Sequence, residues 1–315
     1  MTGPIDLKML GSGVNWMPLM GQLAIWLAGY YSVLPEGSTC SVTAGEPGRT
    51  CFDGLLDVAE GKYHVAVTTP TSVGALGYRG LSPFDRKLPL RAIASFPHDD
   101  RMLFAVKKST GLTSFADIRE RRYPLRVSTP LRETRHPAAW IAQRVLQLHG
   151  LDFETIESWG GEVLRDRPRM LSGPAEETAP FDAVFDEAIM TLRWKRLTED
   201  HDIHFLPIEE GAMRQLEEEG WLRKVLPKGR LRGVEQDLDC VDFSGWLAFC
   251  HEDLPEQIAY WIVMAIDAQR GSIERIANRP GSGLTGPIDM SQLGRDLPLP
   301  LHPGAERYYR EHGYL

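Results

Sequence analysis

The chain reads as an α/β protein of two lobes threaded by a pair of crossover segments, and three observations predict this. Strand-like runs alternate with amphipathic helical runs from the first residues onward, the pattern of a sheet covered by helices. Leu90–Phe96 and Met102–Lys107 are β-rich runs on either side of a polar break, Pro97–Arg101, as expected where a chain leaves one lobe and builds another. Finally, 315 residues, 43% of them hydrophobic and 25% charged, fit two ordinary domains or one large α/β unit with a sizeable core. The expected division puts residues 1–96 and 245–315 in lobe one and 97–244 in lobe two.

The charge balance, 35 basic against 43 acidic side chains for a net −8, contains no long Lys/Arg run and argues against non-specific nucleic-acid binding. No window reaches the roughly 18 apolar residues of a membrane span, so membrane insertion is not expected. Met1–Leu10 lacks a basic start followed by an apolar run. The chain therefore reads as cytoplasmic, or as periplasmic if a signal has been removed. Cys40, Cys51, Cys240 and Cys250 form no CxxC pair and no zinc spacing. Buried free thiols are expected, although Cys40 and Cys51 are near enough in sequence to meet within one lobe. Neither a cofactor nor a metal is expected.

Taken in order, Ile5–Leu10 is a strand ending in Gly11-Ser12-Gly13. Trp16, Leu19, Met20, Leu23, Ile25, Trp26 and Leu27 then give a helix a broad apolar face. Gly11-Ser12-Gly13 is not GxGxxG, which excludes a dinucleotide fingerprint. The junction is either a plain β–α turn or an anion site at a helix N-terminus, with Ser12, Asn15 and Trp16 at hand. A second strand, Thr39–Ala44, runs into a loop carrying Glu46, Arg49 and Thr50, then a helix over Cys51–Glu60. A third, His64–Thr69, runs into Pro70-Thr71-Ser72. In an open α/β sheet such junctions line the crevice outside the carboxyl ends of the strands. The hydroxyls of Thr68, Thr69, Thr71 and Ser72, with one arginine, suit a polar, anionic small molecule, or else serve as helix N-caps.

Gly80–Lys87 is a polar loop. Beyond the break, Ser114–Glu120 is helical, Leu125–Thr129 is a strand, and the loop Pro130–His136 opens a helix from Pro137 to His149. Ser128 ends that strand and Thr134 is placed to cap the helix. Arg132 and Arg135 form either a bidentate clamp on a carboxylate or two solvated charges. Phe153–Trp159 leads into Gly160-Gly161, Val163–Leu171 is a short helix, and Ser172–Pro180 is an acidic loop. Phe181–Phe185 is a buried strand, followed by Asp186-Glu187 and a helix through Leu197. These carboxylates either bind an amino group or a metal, or favour the helix N-terminus. His204–Leu206 is a strand, Glu209–Glu219 a charged surface helix, and Val241–Cys250 one long return strand. Leu254–Gln269 is an amphipathic helix capped by Asp253, Gly271–Pro300 is irregular, and Glu306–His312 is a last helix.

The run LRAIASFPHDDRMLFAVKKSTGLTSFADIRERRYPLRVSTP, the helix through HGL, CHEDLPEQIAYWIVMAIDAQ and the C-terminal HPGAERYYREHGYL together resemble the TAXI-type solute receptors of tripartite (TRAP) transporters. The resemblance implies a type II periplasmic-binding-protein fold and membrane transporter subunits as partners. The loops differ from the family pattern: GSGVNWMPLMG replaces a glycine-rich first loop, and Pro130–His136 replaces a glycine/serine-rich one.

The expected function is solute binding. The cleft closes on a small organic acid, with hinges at Pro97–Arg101 and around Cys240–Ser244. The expected ligand-binding residues are Ser12, Asn15, Trp16, Glu46, Arg49, Thr50, Thr69 and Thr71 from lobe one, and Ser128, Arg132, Thr134 and Asp186 from lobe two. The competing expectation is a cytoplasmic decarboxylase or hydrolase of an aromatic or dicarboxylic acid on the same scaffold. No GxSxG or HExxH stands in the sequence to demand catalysis.

Overall fold

The computed structural model of the chain describes residues 3–29, 33–46, 48–130, 135–164, 180–277 and 283–315. Its elements run β1 (Asp6–Ser12), α1 (Gly13–Ala28), β2 (Thr39–Gly45), α2 (Arg49–Ala59), β3 (Val65–Thr68), α3 (Thr71–Arg79), β4 (Leu90–Phe96) and β5 (Arg101–Lys107). Next come α4 (Phe115–Glu120), β6 (Arg126–Ser128), α5 (Pro137–Leu148), α6 (Phe153–Ser158), β7 (Glu162–Leu164), β8 (Ala183–Asp186) and α7 (Leu192–Asp200). The chain closes with β9 (Ile203–Phe205), α8 (Glu210–Glu218), β10 (Arg223–Leu226), β11 (Leu238–Asp242), β12 (Trp246–His251), α9 (Glu256–Ala277), α10 (Met290–Leu293) and α11 (Pro303–Glu311). It forms two compact units, Met1–Asp99 with Ser244–Leu315, and Asp100–Phe243, so the backbone passes twice between them.

The first unit is built on a sheet of order β2-β1-β3-β12-β4. β1 pairs in parallel with β2 and β3, and β12 runs antiparallel between β3 and β4. Side chains alternate faces along a strand. Leu7, Met9, Val65 and Val67 accordingly join Leu19, Met20 and Leu23 of α1 and Ile258, Ile262 and Ile266 of α9 in one core. Leu10 and Ala66 meet α2 at Gly54, where an added Cβ would stand 3.4 Å from the Leu10 side chain.

The C-terminal phrase HPGAERYYREHGYL docks α11 on this core. His302 accepts the Gly304 N–H and caps the helix, with Pro303 in its first turn. The Tyr309 hydroxyl donates to the Ile93 carbonyl, and Tyr308 and Tyr314 both donate to Asp267 of α9.

The second unit is a mixed sheet of order β10-β11-β5-β8-β6-β7, with β9 also pairing β5. β6 runs parallel to β7 and β8, and all the partners of β5 run antiparallel to it. Ser114 and Asp117 close a capping box on α4, and Asp152 caps α6. Phe104, Phe115 and Phe185 pack ring on ring beneath His149.

Four expectations from the sequence are corrected, one being that Gly271–Pro300, expected to be irregular, holds the end of α9 and all of α10. The expected helix at Val163–Leu171 begins instead as strand β7, because Val163 and Leu164 pair in parallel with Val127 and Ser128; residues 165–171 lie outside the described ones. The single strand Val241–Cys250 is two strands, since Gly245 turns at φ +81°. The helix placed directly after Asp186-Glu187 starts only at Leu192.

Two buried histidines and one half-buried one give the fold an acid sensitivity. In the second unit His149 donates from Nδ1 to the Val145 carbonyl and accepts the Glu209 N–H at Nε2, an arrangement only the neutral ring can make. In the first unit, His64 and His302 likewise accept backbone N–H groups from Lys8 and Gly304. Burial holds all three below the ordinary histidine range. The unfolded chain therefore takes up these protons first. Stability is full above about pH 6.5 and falls as pH drops through the folded values. Melting temperature is expected to decline between pH 7 and 5, ahead of any carboxylate contribution. His149→Gln is expected to flatten that decline, as read by circular dichroism melts.

Candidate functional site

In the first unit the carboxyl ends of β1, β2 and β3 lie at one edge of the sheet. Ser12 is in register with Gly45, Leu10 with Ala66, and Thr68 with Leu247 at the start of β12. Helices α1, α2 and α3 all begin at this edge. Their capping positions, Ser12, Gly48 and Pro70, make no side-chain cap, and none of the three has an acidic residue in its first turn. α4, α5, α6, α10 and α11 are each capped by a side chain, whereas α7 and α8 of the second unit are not. Three helix N-termini without a side-chain cap, each carrying about half a positive charge, thus open on one rim, the Thr71 N–H of α3 being taken by the Ser244 carbonyl.

Two hydroxyls sharpen the rim. Thr50 Oγ1, on a residue only 7% exposed, and Ser72 Oγ, on one only 2% exposed, are buried without a hydrogen-bond partner. Leaving a buried hydroxyl unpaired costs about 1–3 kcal/mol, so such groups call for a partner. The Thr50 methyl lies against Gly45, where a Cβ would collide with it, which fixes how that side chain sits. Beside Thr71 opens a hollow of about 360 Å³, also lined by Ser95, His98, Gly245, Gln292 and Asp296.

The other residues expected here divide by placement. Ser12 is buried at the end of β1, and Asn15 is half-buried in the first turn of α1. Trp16 is a core residue, 7% exposed and edge-on to Trp246 with ring centroids 6.3 Å apart. Glu46 is exposed. Arg49 occupies the first turn of α2, and its Nε donates to Asp53 at 2.6 Å, which holds the guanidinium firmly charged. A ligand carboxylate must therefore compete with Asp53 for it. Thr69 and Thr71 hold the returning chain: the Thr69 hydroxyl donates to the Gly245 carbonyl and the Thr71 N–H to the Ser244 carbonyl.

In the second unit the parallel strands end at Ser128, Leu164 and Asp186. Ser128 is 1% exposed, and beside it Thr129 Oγ1 is buried without a partner. His136, rather than Thr134, caps α5 by accepting the Ala138 N–H. Arg132 and Thr134 lie outside the described residues, and Arg135 is exposed at φ +52°.

Asp186 is sealed in, with Oδ2 3.1 Å from Arg193 and Oδ1 accepting the Glu187 N–H. It follows that Asp186 holds a buried arginine rather than marking a helix N-terminus. Sequence reading missed Arg193, which stands seven positions on in α7, and Asp100, whose carboxylate accepts three backbone N–H groups. An aspartate in a polar connector gives no sequence signal of such a role.

No disulfide joins Cys40, Cys51, Cys240 and Cys250, and burial pushes Cys40 up to about 11 and Cys240 up to about 12. Among the described residues no group of three or more His, Cys, Asp or Glu is placed to hold a metal ion, and no helix is long and apolar enough to cross a membrane.

A profile of the NMT1-like family matches residues 53–313. No curated protein matches the sequence. Among solved structures, XAC2383 from Xanthomonas citri bound to ATP superposes with a TM-score of 0.50 at 10% identity, over 98% of this chain and 99% of that one. PhnD1 from Prochlorococcus marinus in complex with methylphosphonate gives 0.48 at 10% identity, over 99% of each chain. MatC from Rhodopseudomonas palustris with bound malate gives 0.47 at 10% identity, over 98% of each. The likeness to XAC2383 is one of fold alone.

Proposed function

The chain belongs to the NMT1-like family and has the fold of periplasmic solute-binding proteins, and from this we propose that it binds a small organic acid and closes on it. The observation that carries the reading is the rim of the first unit: three uncapped helix N-termini, without a first-turn acid, beside the unpartnered hydroxyls of Thr50 and Ser72. Neutral donors and aligned backbone dipoles of this kind suit an oxyanion, which supplies the acceptors the rim lacks. Ser12, Asn15, Thr50, Thr71 and Ser72 are the proposed contacts from this unit. Ser128 and Thr129 are proposed from the second, with Arg132 and Thr134 of the loop that follows.

Arg49 is proposed as an outer contact, its strength reduced by Asp53. Within the family reading, the protein is proposed to be a TAXI-type receptor that hands its ligand to membrane transporter subunits.

A thermal-shift screen of mono- and dicarboxylates, with methylphosphonate and an alkanesulfonate as controls, tests the proposal. Each mixture is followed by proton NMR for turnover. At least one carboxylate is expected to raise the melting temperature and to remain unchanged. Consumption of the acid would establish an enzyme instead.

A further inference from the structure

We propose that Asp100 is a positioning residue that fixes the loop Glu187–Thr191, at the proposed ligand edge of the second unit, and ties it to the point where the chain enters and leaves that unit. Its functional meaning rests on the solute-binding reading, but its geometry does not. Asp100 is the first residue of the unit and fully buried. Its Oδ1 accepts the N–H groups of Arg101 at 2.7 Å and Ile189 at 2.9 Å, and its Oδ2 accepts that of Ala188 at 2.8 Å. Its backbone carbonyl accepts the N–H of Phe243, the last residue of the unit, at 3.1 Å. One residue thus holds the way in and a loop 88 positions further along the chain by its side chain, and the way out by its backbone carbonyl.

The loop needs such a restraint. Ala188 stands at φ +67°, a left-handed backbone that a residue with a Cβ seldom adopts. An anionic acceptor, stronger than a neutral one, holds the N–H groups of that residue and the next. The far side of the loop is wired as well: the Glu187 carbonyl accepts from Trp194 at 2.7 Å and from Arg193 at 3.1 Å. With both sides held, Asp186 and Glu187 keep one place at the end of β8. A displacement of the loop would then reach Asp100, and through it the two crossing segments.

Residue-resolved amide exchange on the ligand-free protein tests this, using Asp100→Ala and Asp100→Asn. In Asp100→Ala the Ala188 and Ile189 amides are expected to exchange at least tenfold faster, followed by Phe243, while Phe104 of β5 keeps its wild-type rate. Asp100→Asn retains one acceptor oxygen and is expected to protect one of the two loop amides but not both. Wild-type protection of both amides in both variants would overturn the assignment. So would uniform acceleration across the unit, which marks a merely structural residue. Should Asp100→Ala fail to fold, the split pattern in Asp100→Asn decides alone. If the exchange result holds but no acid binds, the functional reading fails while the positioning role stands.

Discussion

Arg193→Met is expected to destabilise the second unit by about 3–5 kcal/mol, the cost of leaving a buried carboxylate without its counter-charge. Arg193 is 5% exposed and Asp186 is 1% exposed, with 3.1 Å between them, and the Glu187 carboxylate stands 3.9 Å from the same guanidinium. Removing the arginine also takes a donor from the Glu187 carbonyl. Urea unfolding should show the loss as a lower midpoint at unchanged slope. Arg193→Met combined with Asp186→Leu should recover much of it, because an apolar pair of similar volume leaves no stranded charge. Equal stability of Arg193→Met and wild type would mean that the pair is solvated in solution.

Gly304→Ala is expected to cost about 3 kcal/mol, near the upper end for forcing a methyl into a packed contact. A Cβ at Gly304 would run into the backbone carbonyl of Glu256, so no side chain can rotate to make room and α11 must move off α9. That helix carries the Tyr309 bond to the Ile93 carbonyl and the Tyr308 bond to Asp267, both of which would shift with it. Gly271→Ala is the control. It lies in α9 with only Arg275 near its would-be Cβ, at 3.7 Å, and alanine there should stabilise by about 1 kcal/mol. Opposite signs for two Gly→Ala changes, read from urea midpoints, would isolate the close approach as the cause.

Much of the fold was legible because local pattern and tertiary structure agree. β4 falls at Leu90–Phe96 where its β-rich run lies, and α4, Phe115–Glu120, falls within its helical phrase. Misreadings arose where distant groups decide. Residues 188–191 read as helix, yet the carboxylate of Asp100 captures two of their N–H groups from far away in sequence. Val241–Cys250 looks like one apolar strand, but Ser244-Gly245 breaks it, and a Cβ at Gly245 would collide with Thr71.

At the candidate site, β–α junctions pointed to the edge where the carboxyl ends of β1, β2 and β3 gather. Which side chains are spare is a matter of packing. Trp16 went to the core, Arg49 to Asp53 four positions on, and Asp186 to Arg193, while Thr50 and Ser72 stayed unpaired.

That pairing state supplies the most direct measurement, calorimetric titration of wild type and Thr50→Val with the carboxylates found by screening. Stability and affinity should move in opposite directions in that one variant. Thr50→Val should melt higher than wild type without ligand, since a stranded buried hydroxyl is gone, and should bind the acid at least tenfold more weakly. Unaltered affinity in Thr50→Val, or no carboxylate bound by the wild-type protein, would contradict it.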